Sequence, residues 1–277
     1  MKLFGGLFLS VFLSLSAKAY DLSDHKAIML QAMNEYSKCA SALKLSNWNQ
    51  FIVWQADMDE DLNLIRKEVL YSHFYNPYKK LDMYRYDSSV RVQRLREDLQ
   101  KNVSKDSWDN YDNLAELGYL VHHLQDMTVP PHVVPIMHNS FSDGFEAYSF
   151  DGDISSGWSC QQISDESKAT IPDDFLKDTA LKTLENVKNI KIDVRMKFFL
   201  GDMVLHATGD DFWEESPYNE FGKYGHIGNH YGETDFVENG VHYIVPGNFY
   251  AQFKQGQMKL AVQSTLKALY WYASLVK

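Results

Sequence analysis

The chain has 277 residues, a formal net charge of −10 and an aromatic content of 14%. This length is compatible with one large domain or two small ones, and it is ample for a buried core. The acidic balance disfavours binding of polyanions through a basic surface, although bound metal cations can still recruit phosphate groups.

The N-terminal residues have the three parts of a secretory signal peptide. Lys2 forms the positive region, an apolar run covers Leu3–Leu15, and Ala17-Lys18-Ala19 is typical of a cleavage site. We therefore predict a signal peptide over residues 1–19 and one mature domain over residues 20–277, periplasmic or secreted. Loss of the two lysines of the signal changes the net charge from −10 to −12. We expect no transmembrane segment, because the signal is too short to span a bilayer and no later run is apolar enough.

Helical periodicity is the dominant pattern in the mature chain. The first predicted helix begins at Ser23, with Ser23 or Asp24 as its cap. Further predicted helices cover 46–56, 60–72, 88–102 and 107–127, one long helix or two in series cover 173–206, and a final helix covers 252–275. Residues 136–172 and 207–250 are predicted to be irregular, and long irregular segments are often functional. The predicted fold class is all-α, a single-domain multi-helix bundle.

Cys39 and Cys160 are the two cysteines of the chain. Export permits a disulfide between them, and two buried free thiols fit the sequence about as well. Their separation is too large for a metal-binding knuckle.

The segment HHLQDMTVPPH, residues 122–132, is dense in residues that can bind metal. His122 and Asp126 are four residues apart, so on a helix they share one face and can chelate one zinc ion. His132 follows Pro130-Pro131, which should end the helix and fix the direction of the imidazole. His123 has the wrong offset for this face, and we predict a packed or hydrogen-bonded histidine there.

The pattern H-x3-D-x5-H, with prolines before the last histidine, resembles the central signature of the zinc-dependent phospholipase C and S1/P1 nuclease superfamily. The phospholipase branch also has an upstream Asp and the motif SHFYDP, which resemble Asp57 in QADMDED and His73 in YSHFYNP. Asn76 stands where that motif has Asp. The interval from Asp57 to His73 is two residues longer than in the family, and Asp59 is the alternative ligand that restores it.

The resemblance covers the chain from Tyr20 to about Glu146 and implies a helical bundle with a zinc cluster in a cleft at one end. It implies three Zn²⁺ ions per chain, one of them bound by the amine and carbonyl of the mature N-terminal residue. It also implies that Asp57 orients or deprotonates the attacking water. The implied ligands are Asp57, His73, His122 and Asp126 for the first ion, Tyr20, His25 and Asp126 for the second, and His132, His138 and Glu146 for the third.

The third ion has an alternative pair of ligands. The family places a histidine where this chain has Ser142, so His138 is the nearest candidate partner for Glu146. The rival pair is His206 with Asp210, which are also four residues apart. Three further histidines are predicted to be loop or core residues: His226, His230 and His242.

The motifs favour phospholipase C over a nuclease. SHFYNP resembles the phospholipase branch, the nuclease motif with Asn-Leu-His is absent, and the acidic charge disfavours single-stranded nucleic acid. We expect a monomeric enzyme that binds no nucleic acid and hydrolyses a glycerophospholipid at a membrane surface to diacylglycerol and a phosphorylated headgroup. The alternatives are an S1/P1-type nuclease and an exported zinc-binding helical protein without activity. Met58 and Leu70 replace aromatic residues of choline-selective members, so we expect no cation–π cage for choline at those positions.

Overall fold

The computed structural model describes residues 22–39, 43–62, 73–80, 87–137, 143–168, 170–199 and 201–276. The predicted signal peptide, Tyr20 and His138 lie outside the described residues. Among the described helices, none combines the length and the apolar character that a membrane span requires.

The fold is mostly helical. The helices are α1 (Leu22–Ser37), α2 (Asn47–Leu62), α3 (Ser88–Asn102), α4 (Tyr111–Asp126), α5 (Pro130–Val133), α6 (Gly144–Ala147), α7 (Cys160–Lys168), α8 (Pro172–Lys188) and α9 (Gly247–Leu275). The predicted helices over 88–102, 107–127 and 252–275 are confirmed within a few residues at each end. The helix predicted over 46–56 continues as far as Leu62, and residues 63–72 of the helix predicted over 60–72 lie outside the described residues.

Helix α4 is the central helix of the bundle and packs against α2, α3, α8 and α9. Its predicted apolar stripe consists of fully buried side chains: Leu114, Leu117, Leu120, Val121 and Leu124. The helix begins after Asn110, whose side chain accepts a hydrogen bond from the backbone N–H of Asn113 at 2.8 Å. It ends at Asp126, and Pro130 then begins the single turn α5, because proline suits the first position of a helix.

Gly118 sets the distance between α2 and α4. A Cβ atom at this position would lie 2.3 Å from the carbonyl oxygen of Val53 and 2.7 Å from the Cβ atom of Ala56. Both separations are too short for real atoms, so a larger residue would push the two helices apart. The close approach places Asp57, which follows Ala56, beside His122, which lies one turn after Gly118.

The prediction of an all-α fold is confirmed only in part: the fold is mostly helical, but β1 and β2 form a hairpin over residues 191–208, where a helix was predicted as far as residue 206. The strands are β1 (Lys191–Phe198), β2 (Gly201–Thr208), β3 (Trp213–Glu214), β4 (Lys223–Tyr224), β5 (Asp235–Glu238) and β6 (Val241–Ile244). In β1 the more buried Ile192, Val194 and Met196 alternate with exposed charged residues, which is the period of a strand. Gly201, with a φ angle of 137°, follows the turn.

The strands form two antiparallel sheets among the described residues. The larger sheet has the order β2-β1-β6-β5, and β3 pairs with β4. Most of these strands lie in the region predicted to be irregular, 207–250, and they add a small sheet to the helical bundle.

Cys39 and Cys160 form a disulfide, which decides the alternative that the sequence leaves open. The bond joins the chain just after α1 to the start of α7, across 121 residues. Closing a loop of this length restricts the unfolded chain and is expected to stabilise the fold by about 4–5 kcal/mol.

Candidate metal centre

Helix α4 contributes two side chains that share a buried face. The Nε2 atom of His122 lies 3.3 Å from the Oδ2 atom of Asp126, and both residues are fully buried. The helical spacing of four residues therefore places the two groups together, as the sequence predicts.

Helix α2 contributes two carboxylates, Asp57 and Asp61, which are also one turn apart. Oδ1 of Asp57 lies 3.3 Å from Nδ1 of His122, and Oδ1 of Asp61 lies 3.7 Å from Nε2 of the same ring. Asp61 is absent from the sequence prediction, which considered Asp57 and Asp59. Asp59 instead lies outside the cluster and accepts a hydrogen bond from Gln55 at 2.8 Å. The signal for Asp61 was its helical spacing from Asp57.

Helix α1 contributes His25, whose ring stacks on that of His122 with centroids 4.4 Å apart. Its Nδ1 atom lies 2.7 Å from Oε1 of Gln125 and 3.4 Å from Oδ1 of Asp57. Its Nε2 atom lies 3.7 Å from Oδ1 of Asp126. The structure thus brings together His25 and Asp126, which the resemblance assigns to one ion.

His73 belongs to the segment 73–80, which contains most of the match to SHFYDP. Its Nδ1 atom lies 2.7 Å from Oδ2 of Asp126 and 3.1 Å from Nε2 of His122. Three of the four residues that the resemblance assigns to the first ion are therefore in direct contact, and the fourth, Asp57, contacts His122.

The segment that contains His73 is held against α5 by two hydrogen bonds. The backbone N–H of Tyr75 donates to the carbonyl of His132 at 3.0 Å. The Nδ2 group of Asn76 donates to the carbonyl of Val133 at 3.0 Å. An ionised Asp cannot donate this bond, so the departure from the family motif at position 76 has a structural consequence.

His132 and Glu146 form the outer part of the cluster. Nε2 of His132 lies 3.1 Å from Oε1 of Glu146, and its Nδ1 lies 3.6 Å from Oδ1 of Asp126. Asp143 positions Glu146 at the start of α6, because its Oδ1 accepts a hydrogen bond from the backbone N–H of Glu146 at 2.8 Å. His138, the third predicted ligand, lies outside the described residues.

Lys254 links the two ends of the cluster. This fully buried side chain on α9 pairs with Asp24, the neighbour of His25, at 2.9 Å. It also donates to the carbonyl of Phe145, the neighbour of Glu146, at 2.9 Å. One ammonium group therefore holds α1 and α6 in place, a role that no sequence motif indicates.

The rival pair for the third ion lies away from the cluster. The side chain of His206 is 84% exposed on β2, and its Nδ1 atom lies 2.7 Å from Oδ1 of Asp193. Asp210 is also exposed. The three histidines that were predicted to be loop or core residues lie in the sheet region, and none is fully buried: His226, His230 and His242.

His123 is hydrogen-bonded, as predicted, but it also faces the cluster. Its Nε2 atom lies 3.3 Å from Oε1 of Glu60, which lies 3.1 Å from Nε of Arg91. Its ring centroid is 5.2 Å from that of His73. Burial lowers the pKa of His123 to about 4 even though Glu60 favours the charged form, so the ring is neutral near pH 7. A carboxylate that fixes a neutral imidazole is common behind metal ligands.

The cluster buries many ionisable groups. Four acids and four histidines are almost fully buried together: Asp57, Asp61, Asp126, Glu146, His25, His73, His122 and His132. Buried carboxylates are unfavourable unless they are paired or bind a cation. Both carboxylate oxygens of Asp57 and Nε2 of His73 make no hydrogen bond to any described residue. Buried nitrogen and oxygen atoms of this kind are suitable metal ligands.

The buried carboxylates stabilise positive charge on the histidines beside them, and the pKa values of both kinds of group are shifted as a result. Burial opposes charge on His122, but Asp126 and Asp61 outweigh it and hold the pKa of His122 well above its usual range. Burial also opposes charge on His132, yet Asp126 and Glu146 raise its pKa to about 9. In turn, His122, His132 and His73 outweigh burial and hold the pKa of Asp126 well below its usual range.

Three overlapping groups of buried side chains can hold a metal ion. In each group one ligand atom per residue lies within 4.8 Å of the others. The groups are His25 with Asp57 and His122, Asp61 with His73 and His122, and His73 with His123 and Asp126. The donors are imidazole nitrogens and carboxylate oxygens, which suit zinc and several other transition metals.

Comparison of the chain with protein-family models and with curated proteins found no match. The chemistry proposed below therefore depends on the residues of the site and on the motifs of the sequence.

Proposed function

We propose that this protein is an exported zinc-dependent phosphodiesterase of the phospholipase C and S1/P1 nuclease superfamily, and that it acts as a phospholipase C. The observation that carries the proposal is the position of Asp126. Its Oδ2 atom lies 2.7 Å from His73 and 3.3 Å from His122, and its Oδ1 atom lies 3.6 Å from His132 and 3.7 Å from His25. A carboxylate surrounded by four imidazoles from different elements is well placed to bridge metal ions.

The described residues fit the implied zinc ligands, with Asp61 as an addition. Both oxygens of Asp57 and the Nε2 atom of His73 make no hydrogen bond to any described residue, and this supports the fit. Tyr20 and His138 remain proposed ligands outside the described residues. We assign Asp57, Asp61, His73, His122 and Asp126 to the first ion, Tyr20, His25 and Asp126 to the second, and His132, His138 and Glu146 to the third.

Asp57 is the residue best placed to orient the attacking water or to accept its proton. Bound zinc ions lower the pKa of coordinated water toward ~7 and neutralise charge on phosphoryl oxygens. Both oxygens of Asp57 are buried without a hydrogen bond to any described residue, so they can accept one from a water. Asp126 is a poorer proton acceptor, because the surrounding histidines hold its pKa well below the usual range.

The disulfide between Cys39 and Cys160 supports the proposal that the protein is exported. Disulfides persist mainly in oxidising compartments such as the periplasm and the extracellular space. The signal-like sequence of residues 1–19 points to the same destination.

An S1/P1-type nuclease is the second candidate, and one surface favours it. Trp48 and Phe51 stack with centroids 5.3 Å apart on the outer side of α2, and Phe51 meets Trp54 edge-on at 5.1 Å. The Nζ atom of Lys26 lies 4.7 Å from the ring centroid of Trp54. Rows of aromatic rings with a nearby cation bind single-stranded bases by stacking.

The proposal is tested by zinc analysis of the mature protein together with three substrates: phosphatidylcholine, sphingomyelin and single-stranded DNA. We expect two to three zinc ions per chain and hydrolysis of phospholipid. Cleavage of DNA without lipid hydrolysis would favour the nuclease. Bound zinc without any hydrolysis would favour a non-catalytic zinc protein, and absence of zinc after mild loading would refute the metal centre.

A further inference from the structure

The β1–β2 hairpin forms one edge of its sheet. The two strands pair without interruption from Lys191 opposite Thr208 to Phe198 opposite Gly201. β6 pairs with β1 only from Arg195 to Lys197, and β2 is an outer strand of the sheet. This pairing lies in the half of β1 next to the turn, and Phe198 and Phe199 follow it directly.

The hairpin is buried at its base and apolar at its tip. Val194 and Ala207 are buried at the base. The tip, about 13 Å further along the strand, consists of exposed apolar side chains: Phe198 at 41%, Phe199 at 103%, Met203 at 58% and Val204 at 55%. No described residue covers Phe199. An exposed cluster of this kind in an otherwise well-packed protein indicates a binding surface.

The apolar residues of the tip are not confined to one face of the hairpin. Met196 pairs with Met203, so Phe198 and Met203 lie on one face of the ribbon. Val204 lies opposite Arg195 on the other face, and Phe199 occupies the turn. The tip is therefore apolar on one face and at the turn, whereas Val204 lies on a face with Arg195, Lys197 and Asp202. An amphipathic tip of this kind suits the boundary between lipid and water.

Basic residues border the tip. Arg195 and Lys197 are exposed on the face opposite Phe198. Residues 191–208 contain three basic and two acidic residues and therefore carry a net charge of +1. The rest of the chain carries −11, which gives the total of −10. Long basic side chains can keep their charge at the phosphate level of a membrane while neighbouring apolar groups enter it.

We propose that the tip of the β1–β2 hairpin inserts into a phospholipid surface, with Phe198, Phe199, Met203 and Val204 below the headgroups and Arg195 and Lys197 at the phosphates. This inference rests on the proposed function for its choice of lipid as the partner. It assigns the approach to the substrate surface to a part of the chain outside the metal centre.

The area of the tip argues against a second copy of the chain as its partner. A stable protein interface buries about 800 Å² on each partner. Four side chains at these exposures offer roughly 500 Å², and a lipid surface needs no complementary shape. Amphipathic aromatic and basic groups are also the usual anchors at membrane surfaces.

Insertion can be measured with a fluorophore at the tip. Because Cys39 and Cys160 are bonded to each other, F199C would supply the one free thiol for an environment-sensitive label. We expect a blue shift of its emission with vesicles of phosphatidylcholine, and a larger bound fraction when phosphatidylglycerol is included. An unchanged emission with both kinds of vesicle would overturn the inference.

Sedimentation of the full chain with the same vesicles tests the energetic contribution of the tip. We expect F198S/F199S to weaken vesicle binding by about tenfold or more, because the variant lacks the two apolar rings that move from water into the lipid. The matched control is Y111S at the start of α4, outside the sheet, where Tyr111 is 63% exposed; it should bind as the unaltered protein does. Equal binding of F198S/F199S, or loss of binding in W48S instead, would overturn the inference.

Two further measurements keep this inference separate from the proposed function. Hydrolysis of a monomeric short-chain phosphatidylcholine should be unchanged in F198S/F199S, whereas hydrolysis in vesicles should fall. Tip insertion without any phospholipid hydrolysis would support the inference and refute the function. If the monomeric lipid is hydrolysed but the label at the tip stays in water, the function would be supported and the inference refuted. If the protein is a dimer in solution and F198S/F199S is a monomer, the partner of the tip is a second copy of the chain. This outcome would overturn the inference.

Discussion

The metal centre and the hairpin tip depart from ordinary protein packing in opposite directions. Between α2 and α4, carboxylates such as Asp57 and Asp126 are fully buried, whereas Phe199 is fully exposed at the end of β1. Buried charge and exposed apolar surface are each unfavourable in isolation, and proteins keep them mainly where a ligand compensates. We therefore propose a different ligand for each region, a cation for the first and an apolar medium for the second.

The largest expected effect comes from D126N, which changes the charge of the central carboxylate with little change of shape. Loss of this ligand should lower kcat/KM for phospholipid by more than about 100-fold and reduce the zinc content. Vesicle binding through the hairpin should be retained. D59N on α2 is the control and should leave both zinc and activity unchanged, since Asp59 lies outside the cluster. Full zinc content in D126N would contradict the bridging role.

Much of the centre could be predicted, because residues that are four apart in the sequence lie close together on one face of a helix. His122 and Asp126 are one turn apart on α4, and the proline-containing turn brings His132 back toward them. The sequence does not single out Asp61, because the family interval to His73 points to Asp57 and Asp59. That interval counts residues along the chain, whereas contact depends on the helix face, which Asp57 and Asp61 share.

The hairpin could not be predicted in the same way, because its contacts depend on sheet pairing and tertiary packing rather than on helical periodicity alone. The aliphatic residues of 191–206 fit a helical pattern loosely, so the sequence predicts one long helix or two in series over 173–206. The alternation of Ile192, Val194 and Met196 with charged residues was the local signal for a strand. Its exposed tip cannot be recognised until the pairing of β1 with β2 is known, because that pairing places Phe199 in the turn.

The next effect concerns Glu60, which links His123 to Arg91 behind the metal centre. E60Q removes the charge that orients the imidazole, and we expect zinc affinity to fall by about 10- to 100-fold. A competition titration with a chelator of known affinity measures the change. The control is E97Q on α3, because Glu97 is exposed and pairs with Arg96 at 3.5 Å. Unchanged affinity in E60Q would mean that His123 is only a packed histidine.

A change in helix packing should come third in size. G118A places a methyl group 2.3 Å from the carbonyl of Val53, so α2 must move away from α4. We expect a loss of about 1–3 kcal/mol in the free energy of unfolding, measured by denaturant titration, and a lower zinc content. G256A on α9 is the matched control, because no atom of a described residue beyond its own stretch of helix lies within 4 Å of the new Cβ, and alanine favours the helix. Equal stability of the two variants would show that Gly118 does not set the helix distance.

The proton balance of metal loading gives a further test of the buried charges. The pKa of His132 is raised to about 9, so below that pH the ring carries a proton that must leave before it can bind metal. Zinc affinity should therefore weaken as the pH falls from about 9 to 6. Calorimetric titration in buffers of different ionisation enthalpy counts the protons released, and H132N should release about one fewer at pH 7. Identical counts would contradict the raised pKa.

The smallest expected effect is that of F198S/F199S on stability. Both side chains are exposed, so the free energy of unfolding should change by less than about 0.5 kcal/mol. Thermal unfolding in the absence of lipid measures this directly. A large destabilisation would show that the tip packs against the protein, and the contrast with the metal centre would then disappear.

Lys254 implies that the ends of the metal centre are thermodynamically linked. Its ammonium group holds the helix of His25 through Asp24 and the turn of Glu146 through the carbonyl of Phe145. A cation that orders one of these segments also reduces the entropy cost of ordering the other. We therefore expect positive cooperativity between ions bound at the two ends, and we expect it to be lost in K254M even where each single site still binds.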